Sequence, residues 1–417
     1  MKENQSLEFK ERITNTFLKT VSAYANFGDG IIQFGITDDG KVLGVEDTES
    51  TCLDIENRIN DSISPVPDYE LSVDNETNVI TLTVKEGSFK PYYYKAKAYK
   101  RNDTATIEVD RIELNHLILE GENRSYDELT AKGNEFHFSI LEQKLKEQLG
   151  VSAINSDILR TLGLLGADGK YKNAGALLAD ENSFYGIDCA RFGDSIDIIL
   201  DREIFEHKSI LKQYDEAVAL YRKYYQYDEI EGALRKTVEL IPEKAFREAI
   251  ANALVHRTWD VNSHIRIAMF KDRLEVFSPG GLPKGITQEE YLNGQVSVLR
   301  NPIVASVFFR LNIIESFGTG VQRMNMAYAE SRAKPRHEFS THAIKVVLPV
   351  VSGGEELSED EAMIYNGMNR LGKSSSQIAK DVGFGKNKTL KLLVALEEKG
   401  YVTKLGNGRG IKYLIKS

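Results

Sequence analysis

Residues 3–45, ENQSLEFKERITNTFLKTVSAYANFGDGIIQFGITDDGKVLGV, decide the fold class. Leu7–Lys10 reads as a short strand. Ile13, Phe17, Val21 and Tyr24 recur every three or four residues, which is one helix face between Arg12 and Asn26. Asn26-Phe27-Gly28-Asp29-Gly30 stops that helix, because glycine takes a left-handed C-cap without penalty. Ile31–Ile36 follows as an apolar strand. Asp39-Gly40 signals a hairpin whose return is Val42–Val45. The stretch also carries three carboxylates, Glu3, Glu8 and Asp38. Hard oxygen donors of this kind suit magnesium or manganese, which activate water for phosphodiester cleavage. Five residues along a strand would put Glu3 on the face opposite Glu8, so convergence requires a turn between them. The plainer alternative pairs Glu8 with Lys10 or Lys19 and leaves Asp38 at the turn.

Outward from this stretch, 417 residues allow two to four domains. The composition, 41% hydrophobic and 28% charged, is that of a globular protein. No run of about eighteen apolar residues predicts a membrane span, and the polar first residues give no secretory pattern. Cys52 and Cys189 form no ligand pattern and are expected to be reduced in a cytoplasm. The net charge is −9, but from Tyr365 onward eleven Lys or Arg stand against three Asp or Glu, a net of +8. A basic end on an acidic body is a local footprint for nucleic acid, RNA or DNA.

Along the chain, Leu53–Ile63 reads as a helix, and Tyr69–Val73 and Val79–Val84 as strands. In KEGSFKPYYYKAKAYKRNDT, cations alternate with Tyr92, Tyr93, Tyr94 and Tyr99. Lys95, Lys97, Lys100 and Arg101 can hold phosphates while rings meet bases. The bland alternative is a hairpin with an aromatic core face and a lysine-rich solvent face. Residues 120–134 are polar and turn-rich, as a linker is. Phe136–Gln148 and Asp157–Leu164 read as helices, Ala174–Ala179 and Ile196–Leu200 as strands, and Glu203–Gln226 as a long helix. Pro242–Val255 is a helix with Phe246, Ile250, Ala253 and Leu254 buried. Ile265–Phe270 and Leu274–Phe277 read as a hairpin, Asn301–Leu311 as a helix and Ala343–Leu348 as a strand.

Three motifs carry candidate chemistry. Glu248, Asn252 and His256 fall on one face of the Pro242–Val255 helix at intervals of four, which alone describes a polar face. Gly280-Gly281 and Gly318-Thr-Gly320 are glycine turns that can approach phosphate. Gly367–Ser374 matches the phosphate-loop pattern letter for letter, yet it follows an amphipathic helix rather than a buried strand, so it is rejected. Gly372 is instead a helix cap, and Ser374 or Ser375 starts the next helix. Beyond the Val351–Leu357 linker the order helix, helix, Gly383 turn, helix, two strands is that of a winged helix-turn-helix. Lys386, Lys388 and Lys391 begin its third helix and Arg409 flanks its wing.

SLEFK, TVSAYANFGDGIIQFGITDDGKVLGV and AYKRNDT resemble the AlbA-like nucleic-acid-binding domain of Schlafen proteins. AGALLADE, REAIANALVHR, RLEVFSPGGLP, RNPIVASVFFRL and ESFGTGVQRM resemble bacterial proteins labelled transcriptional regulators or RecG-like, whose C-terminal half is similar to the GHKL ATPase fold. The resemblance implies an α+β chain: an AlbA-like domain at 1–120, a degenerate GHKL-like α/β domain at 135–350 and a winged helix at 356–417. It also implies that Glu3, Glu8 and Asp38 are catalytic metal ligands for magnesium or manganese. Glu248 and Asn252 map onto the ATPase helix, with Gly280, Gly281, Gly318 and Gly320 as ATP-binding turns. The adenine-reading Asp-x-Gly-x-Gly is replaced by Ser278-Pro-Gly-Gly, which counts against ATP. Two functions follow as expectations: a metal-dependent endoribonuclease on structured RNA such as tRNA, serving phage defence, or a non-catalytic DNA-binding transcriptional regulator. Either is a cytoplasmic protein with nucleic acid as its partner, and base rates favour a homo-oligomer.

Overall fold

A strand, a helix and a second strand parallel to the first open the chain. The structure, a computed structural model, describes residues 2–231, 234–283, 285–294, 298–315, 318–331, 333–351, 358–368, 372–399, 401–406 and 411–415. Strand β1 (Leu7–Lys10) leads to helix α1 (Phe17–Phe27) and strand β2 (Gly30–Phe34), with Glu8 in register with Ile32. Helix α2 (Thr48–Ser62) is capped by the Asp47 side chain and ends in β3 (Ile63–Ser64). Strands β4 (Tyr69–Asp74) and β5 (Val79–Val84) complete a four-stranded sheet of order β1-β2-β5-β4. The apolar face of α1 packs on it: Phe17, Val21 and Tyr24 join Ile32, Phe34, Ile80 and Leu82 in one core. Gly30 is required by this packing, since a methyl group there would lie 2.3 Å from the Tyr24 ring.

The return strand expected at Val42–Val45 does not form a ladder. Both edges of β2 are taken, by β1 and by β5, so 42–45 pairs beyond its end, through a Val42–Ile36 bridge and the Leu43 and Gly44 amides on the Gly35 carbonyl. Next come β6 (Tyr93–Tyr94), the hairpin β7 (Tyr99–Asn102) and β8 (Ala105–Glu108), and α3 (Arg111–Gly121) with an Asp110–Glu113 capping box.

Helices α4 (Ser139–Leu149), α5 (Ser156–Thr161) and α6 (Asn173–Leu178) follow. The last was expected as a strand. Its Ala-Gly-Ala-Leu-Leu run is buried throughout, and a buried apolar run of this length does not distinguish strand from helix by periodicity. Strand β9 (Ile187–Phe192), strand β10 (Ile199–Phe205) and helix α7 (Ile210–Tyr225) come next. The expected helix at 203–226 thus loses its first seven residues, three of them to β10. Hairpin β11 (Gln226–Glu231) and β12 (Leu234–Glu239) was not anticipated. Then come α8 (Glu243–His256), β13 (Ile265–Met269), β14 (Arg273–Pro279), α9 (Gln288–Asn293), α10 (Pro302–Arg310), α11 (Gly320–Ala327), β15 (Arg336–Phe339) and β16 (Ala343–Pro349). A six-stranded sheet of order β10-β9-β13-β14-β16-β15 results. Tyr221 stacks on Phe246 at 4.7 Å, joining α7 to α8.

The C-terminal elements are α12 (Glu359–Gly367), β17 (Lys373–Ser374), α13 (Ser375–Val382), α14 (Lys386–Glu398), β18 (Val402–Leu405) and β19 (Lys412–Ile415). Their core is Ile364, Met368, Ile378, Leu393, Leu396, Val402 and Tyr413.

The chain divides into two compact units. Residues 1–224, 243–327 and 335–348 make one, and 225–242, 328–334 and 349–417 the other. Within the first, residues 120–134 do not run free as a linker. Asp127 is fully buried and accepts the Ile303 and Val304 amides at 2.8 and 3.0 Å, capping α10 from 176 positions away. Among the described residues no helix is long and apolar enough to cross a membrane.

Candidate functional site

A turn brings Glu3 back toward β1. Asn4 and Leu7 bridge each other, and the Glu3 carboxylate accepts the Phe9 amide at 2.8 Å. Glu8, 4% exposed, is surrounded. It accepts from the Thr20 hydroxyl at 2.7 Å, from Arg101 Nη1 at 2.5 Å and from Lys10 Nζ at 2.5 Å. A buried carboxylate without such partners would cost several kcal/mol. Arg101 also donates to the Thr106 hydroxyl at 2.9 Å and to the Asn4 carbonyl at 3.2 Å. Tyr24 lies under the Arg101 guanidinium, 6.0 Å from ring centre to Cζ. Its hydroxyl is held well above the usual range, first by burial, against which the Arg101 charge works, with Glu8 and Glu3 adding smaller upward effects. Asp38 is exposed in the turn after β2, where Thr37 bonds Asp39 rather than Asp38. Among the described residues no three His, Cys, Asp or Glu side chains are grouped to hold a metal ion. Glu8 serves here as an ion-pair hub for Lys10 and Arg101.

The basic run is mostly committed to intramolecular partners. Lys97 pairs with Glu108 at 2.7 Å, Lys100 pairs with Glu113, and Arg101 is buried on Glu8. Tyr92, Tyr94 and Tyr99 belong to the core, so their rings are not offered to bases. Lys95 is exposed, lies 5.3 Å above the Tyr94 ring and has a left-handed backbone at φ 49°. The run is divided between two sheets, Tyr93–Tyr94 pairing with β3 and Tyr99–Asn102 with β8.

On α8 the expected residues do come together. Glu248 is 8% exposed, and the charge of Arg323 on α11, which pairs with Glu315 at 3.0 Å, favours its ionised form. Burial is the larger influence and raises its carboxyl above the ordinary value. A methyl built on Gly320 would lie 2.3 Å from a Glu248 carboxylate oxygen and 2.7 Å from the Asn252 amide nitrogen. Gly318, at φ 65°, places its carbonyl 2.7 Å from a methyl built on Gly294. Gly280, at φ 108°, packs on Thr258 and Arg300, and Gly281 on the Ser340 and Thr341 carbonyls. Burial, with Arg300 adding to it, lowers His256 to about 4.

Three organising residues were not singled out in the sequence, although Arg257 and Arg300 fall within two of the stretches quoted above. Arg300 donates to the His256 carbonyl at 2.6 Å and the Gly281 carbonyl at 2.9 Å. Arg257, 1% exposed, donates to the carbonyls of Tyr185 at 2.9 Å, Val261 at 3.3 Å and Ser263. Its guanidinium sits 4.1 Å from the Trp259 ring. The third is Asp127. Each acts on a partner that only the folded chain brings near.

In the second unit, Ser374 caps α13 with a reciprocal Gln377 bond, and Lys373 is held by the Gly367 carbonyl and Asp381, both at 2.7 Å. The phosphate-loop lysine of the rejected motif is therefore engaged. Gly383 ends α13 at φ 75°, and α14 begins at once. Lys386, Lys388 and Lys391 are exposed on its first turns. Lys388 pairs with Asp360 at 2.7 Å. Arg409 lies outside the described residues.

Residues 3–110 match the family model described as "Schlafen, AlbA_2", and residues 262–348 match "Putative ATP-dependent DNA helicase recG C-terminal". No curated protein matches. Among solved structures, the DIP2311 protein from Corynebacterium diphtheriae is 22% identical, with a TM-score of 0.49 over 99% of this chain and 92% of that one. The N-terminal domain of a RecG-related protein from Nitrosomonas europaea is 19% identical, with a TM-score of 0.20 over 25% of this chain and 78% of that one.

Proposed function

We propose that this chain, which joins a Schlafen AlbA_2 region to a RecG C-terminal-like region, is a nucleic-acid-binding regulator that contacts duplex DNA through its C-terminal module. The observation that carries the reading is the start of α14. Lys386 and Lys391 are exposed there and have no carboxylate partner among the described residues, and the helix follows α13 across a short glycine turn. In a winged helix-turn-helix this is the helix that enters the major groove, with β18 and β19 as the wing. The excess of basic residues from Tyr365 onward supplies the attraction to phosphate.

A second reading, a divalent-metal endoribonuclease on structured RNA, has one observation in its favour. The Glu3 carboxylate accepts the amide of Phe9, the residue after Glu8, so both acids lie at β1. Against it stand the two cations on Glu8 and the exposed Asp38. One experiment separates the two. The full chain is incubated with duplex DNA and with tRNA, with and without manganese. Salt-sensitive binding to DNA with intact RNA supports the regulator. Manganese-dependent cleavage of tRNA that disappears in Glu8→Gln overturns it.

A further inference from the structure

The RecG C-terminal-like region is the part of the chain where the ATPase resemblance would place a nucleotide. We infer that this centre is closed by the chain's own side chains and serves as a structural lock, with Glu248 standing where a phosphate would stand.

The argument begins at α11. The first turn of a helix presents unpaired amides and a partial positive charge, so it attracts an anion. Here that end follows the Gly318-Thr-Gly320 turn, and the anion beside it is the Glu248 carboxylate. The contact is close enough that a methyl on Gly320 would lie only 2.3 Å from the carboxylate oxygen. The Asn252 amide nitrogen lies at the same contact, 2.7 Å from that methyl, and the positive charge of Arg323 on α11, itself paired with Glu315 at 3.0 Å, favours the Glu248 carboxylate. The residues that in an ATPase would hold magnesium and activate water are thus both packed against the glycine turn. The flank is closed as well: Gln322 Nε2 donates to the Asn293 carbonyl at 3.0 Å, tying α11 to the end of α9.

The opposite end is closed by Arg300. Its two terminal nitrogens bridge the last carbonyl of α8, at His256, and the Gly281 carbonyl. Nη1 also comes within 2.6 Å of a methyl built on Gly280. This is the Ser278-Pro-Gly-Gly turn, which lacks the acid that would read an adenine amine. The guanidinium instead satisfies the backbone carbonyls on both sides. Admitting a triphosphate would require the glycine turn of α11 to leave Glu248 and Arg300 to leave two carbonyls. The residues present do not fit bound ATP in this arrangement.

The test has two arms. Magnesium-ATP and ADP are titrated calorimetrically into the full chain. No saturable binding is expected up to about 1 mM, a free energy of about −4 kcal/mol, and saturable binding well below that overturns the inference. In the second arm, Glu248→Ala removes the internal anion. Inorganic phosphate is expected to raise the melting temperature of this variant by about 2 °C or more beyond its effect on the wild type. Equal responses of the two proteins overturn the inference. If Glu248→Ala does not fold, Glu248→Gln keeps the amide contact while removing the charge, and the same excess response is required of it. Neither arm reads DNA or RNA binding, so failure here is distinguishable from failure of the proposed function.

Discussion

Arg101 reaches from β7 to Glu8 on β1 and forms an ion pair at 2.5 Å in which the two side chains are 4% and 6% exposed. Removing one partner leaves the other charged and shielded from water, which in buried pairs costs about 3–5 kcal/mol. Lys10 remains on Glu8, so Arg101→Ala should fall near the lower end, about 3 kcal/mol, in urea unfolding. Combining Glu8→Gln with Arg101→Met should cost less than the sum of the single changes. Strict additivity would show that the pair is not coupled.

Gly30 faces the Tyr24 ring with no space for a side chain. Gly30→Ala is therefore an overpacking substitution and should destabilise by about 1–3 kcal/mol. A chemical denaturation midpoint equal to that of the wild type would contradict the close approach.

His116 on α3 contacts Asp260 at 2.7 Å, and this bond raises its pKa above 6.5 more than burial lowers it. Arg300 opposes the shift and Asp110 supports it. A histidine whose pKa is higher folded than unfolded contributes stability that is complete below pH 6.5 and lost as pH rises through the folded value. The stability difference between wild type and His116→Gln should therefore shrink as pH rises above 6.5 toward 8. His116 is 46% exposed, so solvent screens the bond and the effect should stay below about 1 kcal/mol. A difference that grows with pH would reverse the assignment.

Lys386 and Lys391 should each contribute one phosphate contact. Replacing either by Ala should lower the slope of log affinity against log salt by about 0.9 on duplex DNA. Lys388→Ala should change it less, because Asp360 already engages that ammonium. Three equal effects, or none, would place the DNA surface elsewhere.

The local elements were legible in the chain because their signals are local. The three-four spacing of Phe17, Val21 and Tyr24 marked α1, and Pro242 with the Phe246–Ile250 stripe marked α8. A serine cap at Ser374 marked the start of α13. Residues 174–179 were misassigned because complete burial erases the alternation that tells strand from helix. The candidate sites were legible only as lists. The sequence shows Glu8 and Arg101 as separate charges 93 positions apart, and nothing in it says that they neutralise each other. The same holds for Arg300, whose partners are backbone carbonyls and leave no trace in side-chain type. Val42–Val45 shows the complementary error. A sound hairpin turn was present, but non-local strands had taken both edges of β2.

The cap that Asp127 places on α10 has a consequence for the nascent chain. The amides it binds are made 176 residues later. At bacterial or eukaryotic synthesis rates this is a delay of about 10–35 s. During that interval the N-terminal sheet has all its own strands, while the segment behind it trails as a tether. Burial of the Asp127 carboxylate, and with it the seating of residues 125–129, is thus a late event that waits for α10 to leave the ribosome. A protease acting on stalled chains shorter than about 300 residues should cut that segment, and the same protease should spare it in the released protein.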